Sequence, residues 1–238
     1  MKLLCFALFA CAFNLLLGVT GLLSFGHAAF FGFAAYVAGW LVKALGWTPE
    51  LGLLAAGEWR LQGVPRGSLF GLFSLASDLT LYYVVLGIFV ACFLFIMRVV
   101  TSPFGQVLKM IRENEPRAVS LGYEVDRYKL LAFVLSAALS GLAGSLKTLI
   151  MGFASLTDVH WSMSGEVILM SLLGGVGTFF GPVLGAGVVI ALQNMLADRV
   201  GAWVTVIIGA IFVVCVLAFR KGVVGELHAW RERRRTRG

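Results

Sequence analysis

The chain has 238 residues, 60% of them hydrophobic and only 13% charged, with a mean hydropathy of +0.94. No soluble globular domain needs that much apolar surface, so the composition excludes one and predicts an all-α polytopic membrane protein. The net charge of +7 is held in two stretches, residues 98–129 with six basic and four acidic side chains and residues 220–238 with seven basic and two acidic. By the positive-inside rule both stretches are cytoplasmic, and the short basic tail faces lipid headgroups rather than nucleic acid.

In chain order, residues 3–19 form a first span of about 17 residues. Lys2 precedes the apolar core as in a signal peptide, but no small-x-small cleavage site follows and Asn14 interrupts the core, so a retained helix is expected. Next comes GLLSFGHAAFFG (21–32), where three glycines, Ser24 and His27 break the apolar run. Irregular backbone at membrane depth is tolerated only where it is buried in protein or lines a cavity. Ser24, Gly26 and His27 are therefore candidates for a translocation path. A histidine that merely hydrogen-bonds a neighbour and fixes packing fits the pattern equally well. Residues 28–45 continue as a helix with Lys43 snorkelling near its end. Residues 46–78 lack a spanning run and read as an external loop. Residues 79–97 span back, with Tyr82 and Tyr83 as interfacial anchors.

The longest polar stretch, SPFGQVLKMIRENEPRAVSLGYEVDRYK (102–129), reads as an ordered platform. Ser102 suits an N-cap and Pro103 the first helical turn. Phe104, Val107, Leu108 and Ile111 recur at helical spacing as one apolar stripe. Pro116 stops that helix near Asn114. A second short helix over 116–121 ends at Gly122 in a left-handed turn. Two short helices with charge outward have the form of a docking surface.

Residues 130–151 form a helix with two small-residue rows, Ser136, Ser140 and Gly144 beside Ala137, Gly141 and Ser145, a spacing that lets another helix approach closely. Lys147, near its outer end, is expected to snorkel. Residues 152–165 connect externally, and Glu166 is placed in the first turn of the next helix. LLGGVGTFFGPVLGAG (172–187) is a glycine- and proline-broken segment, which adds Gly174, Gly175 and Gly177 to the path candidates. If both basic stretches lie inside, this segment makes two crossings or a re-entrant pair before a last span over 201–219. The domain expectation is a membrane domain over 1–219, carrying the platform 102–129, and a cytoplasmic basic tail over 220–238.

No GxxxxGK[ST], HExxH or GxSxG occurs. The four cysteines, Cys5, Cys11, Cys92 and Cys215, lie in apolar runs without metal-ligand spacing. No enzyme, metal or cofactor is expected.

Three blocks carry a family resemblance: GLLSFGHAAFFGFAAY (21–36), the stretch 102–144 beginning SPFGQVLKMIRENEPRAVSLGYEVDRYK, and SGEVILMSLLGGVGTFFGPVLGA (164–186). With them the chain resembles the larger of the two paired permeases of bacterial ABC importers for branched-chain amino acids. GVPRGSLFG (63–71) is similar to that family's external loop. The resemblance implies a bundle with glycine-broken helices in the bacterial inner membrane, with the C-terminus cytoplasmic. It implies that Arg112, Glu113, Glu115, Ala118 and Gly122 couple the spans to ATP-binding cassette subunits. A second permease and a periplasmic substrate-binding protein are the other implied partners besides the lipid bilayer. The chain departs from the family pattern by an N-terminal helix and by about two spans before the GVPRG loop. A non-transporting remnant or assembly partner is therefore the first rival reading, and related permeases carry urea or short amides. An ion-coupled secondary transporter would explain broken helices but would have no use for the platform.

Overall fold

A computed structural model describes residues 1–44, 61–62, 68–69, 73–74, 78–155 and 158–200. Most of the expected loop 46–78, the side chain of Lys43, Cys215, the span 201–219 and the tail 220–238 lie outside the described residues.

The bundle is built around its first helix. α1 (Lys2–Asn14) continues as a π turn over Leu15–Thr20, and every residue from Cys5 to Asn14 is buried. A helix that is apolar on all sides has no preferred solvent face, and here it is enclosed on all sides by protein. α2 (His27–Ala44), α3 (Asp78–Thr101), α6 (Val125–Met151), α7 (Trp161–Gly174) and α8 (Gly181–Val200) make up the rest of the bundle among the described residues. α3 carries Asp78 in its first turn and Arg98 in its last, both favourable to the helix dipole. Its exposed side chains include Leu79, Tyr83, Leu94 and Phe95, so most of its surface is turned outward. Among the described residues three helices are long and apolar enough to cross a membrane, Lys2–Thr20, Asp78–Thr101 and Val125–Met151. The fold is the expected all-α membrane bundle. Short two-residue strand pairs, β1 (Leu61–Gln62) with β4 (Phe153–Ala154) and β2 (Ser68–Leu69) with β3 (Phe73–Ser74), decorate it, all antiparallel.

α2 and α6 pack closely, and small residues make it possible. A Cβ on Gly144 would lie 1.9 Å from the Phe31 carbonyl oxygen. Thr148 donates its hydroxyl proton to the Ala35 carbonyl at 2.9 Å, and Ser136 donates to the Ala12 carbonyl at 2.5 Å. The small-residue rows are thus a packing device, as expected. α7 and α8 form a second close pair, in which a Cβ on Gly185 would meet the Met170 carbonyl oxygen at 1.8 Å. α7 is 14 residues long, about 21 Å, short of the ~30 Å hydrocarbon core. The preceding connection makes up the difference by dipping into the bundle, where the Asp158–Val159 backbone packs against Gly32.

Several expectations are corrected. The helix assigned to 130–151 begins five residues earlier, at Val125. Lys147 does not snorkel: it forms a buried ion pair with Asp158, both side chains 7% exposed. The Ser155 amide donates to the second carboxylate oxygen of Asp158 at 3.3 Å, and the Lys147 ammonium lies 5.9 Å from the centre of the Phe31 ring. The dipping connection brings an anion down to the lysine, which removes any reason for it to reach the surface. Glu166 lies in the second turn of α7 rather than the first, and His160 caps that helix by accepting from the Ser162 amide.

Two stability outcomes follow from this packing. Gly144→Ala should destabilise the detergent-solubilised protein by about 2 kcal/mol through overpacking, whereas Gly87→Ala, whose Cβ would meet nothing within 4 Å, should leave the melting temperature unchanged or higher. Lys147→Met should cost about 3 kcal/mol because it strands the Asp158 charge, and adding Asp158→Leu should recover most of the loss; thermal unfolding of the four variants reads both effects.

Candidate functional site

The platform forms as its local signals require. Helix α4 (Pro103–Glu113) starts at Ser102, whose hydroxyl accepts from the Gly105 amide at 3.4 Å. Leu108 and Ile111 are buried, with Phe104 and Val107 half-buried beside them. Asn114 adopts an extended conformation that ends α4, and its side chain accepts from the Arg117 amide at 3.1 Å to start α5 (Glu115–Ser120). Gly122, at φ +85°, closes α5. The Gly122 amide donates to the Val119 carbonyl at 2.9 Å and the Tyr123 amide to the Ala118 carbonyl at 3.2 Å, a complete Schellman turn.

Ile111 of α4, Ala118 of α5 and Val125 of α6 pack into one apolar knot. The Phe104 and Tyr128 rings stack over it at 5.7 Å, and Glu115 pairs with Lys129 at 2.7 Å. The platform is therefore fixed to the first turns of α6. Glu113 and Gly122 are exposed, Glu115 is half-exposed on the side that meets Lys129, and Ala118 is fully buried in the knot.

Arg112 points the other way, toward the bundle. Its guanidinium donates to the Gly18 carbonyl in the π turn and lies 3.6 Å from where a Cβ of Gly177 would be. Gly177 belongs to the 175–180 break between α7 and α8. Asn14 clamps the same break: its Oδ1 accepts from the Gly177 amide at 3.1 Å and its Nδ2 donates to the Thr178 carbonyl at 3.0 Å. Gly18 has to be glycine, because a Cβ there would sit 2.4 Å from the Asn14 oxygen and 2.7 Å from the Gly177 nitrogen. Platform, π turn and helix break thus meet at one polar junction.

The path candidates separate into two groups. Gly174 and Gly175 are buried beside the junction, Gly174 against the Gly181 carbonyl, and Gly177 is within it. His27 is not among the groups of that junction but is fully buried at the start of α2. Its Nε2 is 2.8 Å from the Ser136 hydroxyl, and the Phe13, Phe30 and Phe133 rings meet it edge-on. Ser24 is half-buried and Gly26 exposed in the irregular stretch leading to it.

Sequence reasoning missed Asn14 and Gly18 as parts of the junction. Their signal was present, since a lone asparagine in an otherwise apolar run marks a polar partner inside the membrane. Asn14→Ala should leave the Gly177 N–H and the Thr178 carbonyl unpaired, at a cost of about 2 kcal/mol, and hydrogen exchange should show the Gly177 amide losing protection before the α1 core does.

Comparison with known proteins agrees with this architecture. The family model for the permease component of branched-chain amino acid transport systems matches residues 57–216. The chain is 27% identical to the high-affinity branched-chain amino acid transport system permease protein LivM of Escherichia coli K12, over 78% of this chain and 60% of that one. It is 30% identical to the probable branched-chain amino acid transport permease protein LivM of Methanocaldococcus jannaschii, over 58% of this chain and 35% of that one. To the autoinducer 2 import system permease protein LsrC of Salmonella choleraesuis it is 28% identical, over 70% and 49%. The matches span at most 60% of the length of these relatives. The E. coli alignment runs over 253 positions, whereas 78% of 238 residues is about 186, so about 67 aligned positions have no residue in this chain. That is room for the two spans, of about 20 residues each, by which the chain is expected to fall short of the family pattern. No solved structure matches the chain. A helical membrane bundle, matched by the family model over more than half its length, places this chain in the family of permease components of branched-chain amino acid transport systems.

Proposed function

We infer that this chain forms half of the membrane pathway of an ATP-driven importer for branched-chain amino acids, in the bacterial inner membrane. Its platform would dock an ATP-binding cassette subunit that performs the hydrolysis, the second half of the path would come from another permease, and a periplasmic binding protein would deliver the substrate. One observation carries this reading: Arg112 ties the docking platform to the helix break through the Gly18 carbonyl.

The mechanism follows from what is rigidly joined to what. The Ile111–Ala118–Val125 knot transmits any displacement of the platform to α6. Arg112 transmits the same displacement to the π turn, and Asn14 passes it on to the 175–180 break. A π turn and a glycine-rich break are the segments of such a bundle that change backbone angles at least cost. Closure of the ATPase subunits would thus bias two arrangements of the break, which is what alternating access requires. On this reading Glu113 and Gly122 belong to the outer docking face, with Glu115 at its edge where it pairs with Lys129, Ala118 as its buried anchor and Arg112 as its inner link. Gly174, Gly175 and Gly177 line the moving part of the path, and Ser24 and Gly26 its wall, with His27 fixing the start of α2. Residues 1–219 form the membrane domain, with the tail 220–238 on the platform side.

A different solute is the second reading, favoured by the similarity to autoinducer 2 import permeases. The deciding experiment is co-purification of this chain with an ATP-binding subunit and a second permease, followed by ATPase assays with binding protein loaded with leucine or with autoinducer 2. Stimulation by the leucine-loaded protein supports the branched-chain reading, stimulation by the other supports the second, and a chain that recruits no ATPase overturns both in favour of a non-transporting partner.

Within such a complex, Glu115→Lys and Gly122→Pro should weaken ATPase co-purification while leaving insertion intact, since the first sets a like charge against Lys129 and loosens the platform's edge and the second cannot adopt φ +85°. Arg112→Gln should keep the ATPase bound yet lower its stimulated rate roughly tenfold, about 1.4 kcal/mol of lost coupling. Equal stimulation in wild type and Arg112→Gln would sink the transmission role.

A further inference from the structure

Beneath the platform lies an open cavity of about 640 Å³, within the usual range for small-molecule sites. Three charged side chains line it: Arg112, Glu115 and Lys129. Its remaining wall is mainly aliphatic, from Leu17, Leu22, Ile111, Leu172 and Val176. Ile111 is fully committed to the bundle, while Leu17, Leu22, Leu172 and Val176 are only half-buried and leave apolar surface facing the space.

We propose that this cavity binds a free aliphatic α-amino acid from the platform side, and that occupancy holds the platform against the helix break and slows turnover. The chemistry is that of a zwitterion with a branched side chain. The guanidinium of Arg112 uses one donor on the Gly18 carbonyl and has four more, enough to take a carboxylate. Glu115, paired with Lys129 at 2.7 Å and half-exposed, accepts an ammonium group without being stripped of its own partner. The aliphatic wall then takes the side chain. A simple anion would satisfy Arg112 and Lys129 but leave Glu115 facing a second negative charge, and an amine would do the reverse to Arg112. Because Arg112 is also the link between platform and π turn, a bound carboxylate adds a second tie across the joint that has to move. Accumulated product would in this way restrain its own import. That consequence rests on the importer reading above, whereas the binding site itself does not.

The test uses the full chain in lipid nanodiscs with radiolabelled L-leucine. Saturable binding is expected, weakened at least tenfold for leucinol, which lacks the carboxylate, and for 4-methylpentanoate, which lacks the ammonium. Leu172→Trp, which fills the aliphatic wall, should abolish binding. In a Val176→Cys variant leucine should slow maleimide labelling, a readout that does not depend on the tryptophan variant folding. The site is overturned by absence of saturable leucine binding, by 4-methylpentanoate binding as well as leucine, or by unchanged labelling at position 176 in saturating leucine. ATPase recruitment is measured separately, so a chain that recruits and stimulates the ATPase but binds no leucine here loses this site and keeps the importer reading.

Discussion

Inside a hydrocarbon layer every backbone N–H and C=O needs a partner from the protein, and that constraint organises this molecule. A helix broken over 175–180 leaves such groups open, and Asn14 reaches across from the most buried helix to bond two of them. A π turn in the same helix leaves the Gly18 carbonyl free, and Arg112 covers it from outside the membrane helices. α1 has to occupy the centre of the bundle because only from there can its single asparagine meet the break. Gly18 has to lack a side chain because the two backbones then meet at van der Waals distance.

Around that junction the helices sort into two close pairs. α2 and α6 are interlocked by Gly144 against Phe31 and by the Thr148 hydroxyl on Ala35. α7 and α8 are interlocked where Gly174 meets Gly181 and Gly185 meets Met170. α1 lies between the pairs, bonded to one through Ser136 and to the other through Ser171, at 3.4 Å from the Ala10 carbonyl. A direct polar bond also joins the pairs, from the Ala28 amide to the Ser164 hydroxyl at 3.0 Å. Hydroxyl bonds of this kind contribute about 0.6 kcal/mol each in membrane proteins, far less than the steric cost of separating either glycine-packed pair. Relative motion therefore has its weakest resistance between the pairs, along α1, and the platform is attached to one of them.

The platform was legible almost residue by residue, because caps, proline and glycine act locally and need no knowledge of the rest of the fold. Ser102, Asn114 and Gly122 do in the structure what their chemistry alone prescribes. The bundle's helices were legible as apolar runs, but their partners were not. Nothing in residues 3–19 says that this helix is the central one, since an apolar helix facing lipid has the same composition as one facing protein. Lys147 and Asp158 were read separately because their pairing depends on a connection that dips back into the bundle. Glu166 was misplaced by a few residues because the helix start is set by His160, a residue whose capping by ring nitrogen is rarer than that of Ser or Asp. The site was legible in its parts, the platform and the break, and illegible in the Asn14–Gly18–Arg112 junction that joins them.

The same backbone constraint bears on the stretch from Gly21 to Gly26. It leaves the π turn at the platform end and arrives at His27, which is level with Ser136, eleven residues along α6 from Val125. That is a climb of about 16 Å at 1.5 Å per residue, made without helical hydrogen bonds. Gly21, Leu23, Phe25 and Gly26 are exposed along it. Lipid cannot solvate irregular backbone at that depth, whereas protein or water can. The backbone carrying Ser24 and Gly26 thus calls for protein or water over it rather than lipid, even though Leu23 and Phe25 beside it are as apolar as the exposed residues of α3. Apolar side chains alone would have assigned both to the bilayer; the backbone separates the two.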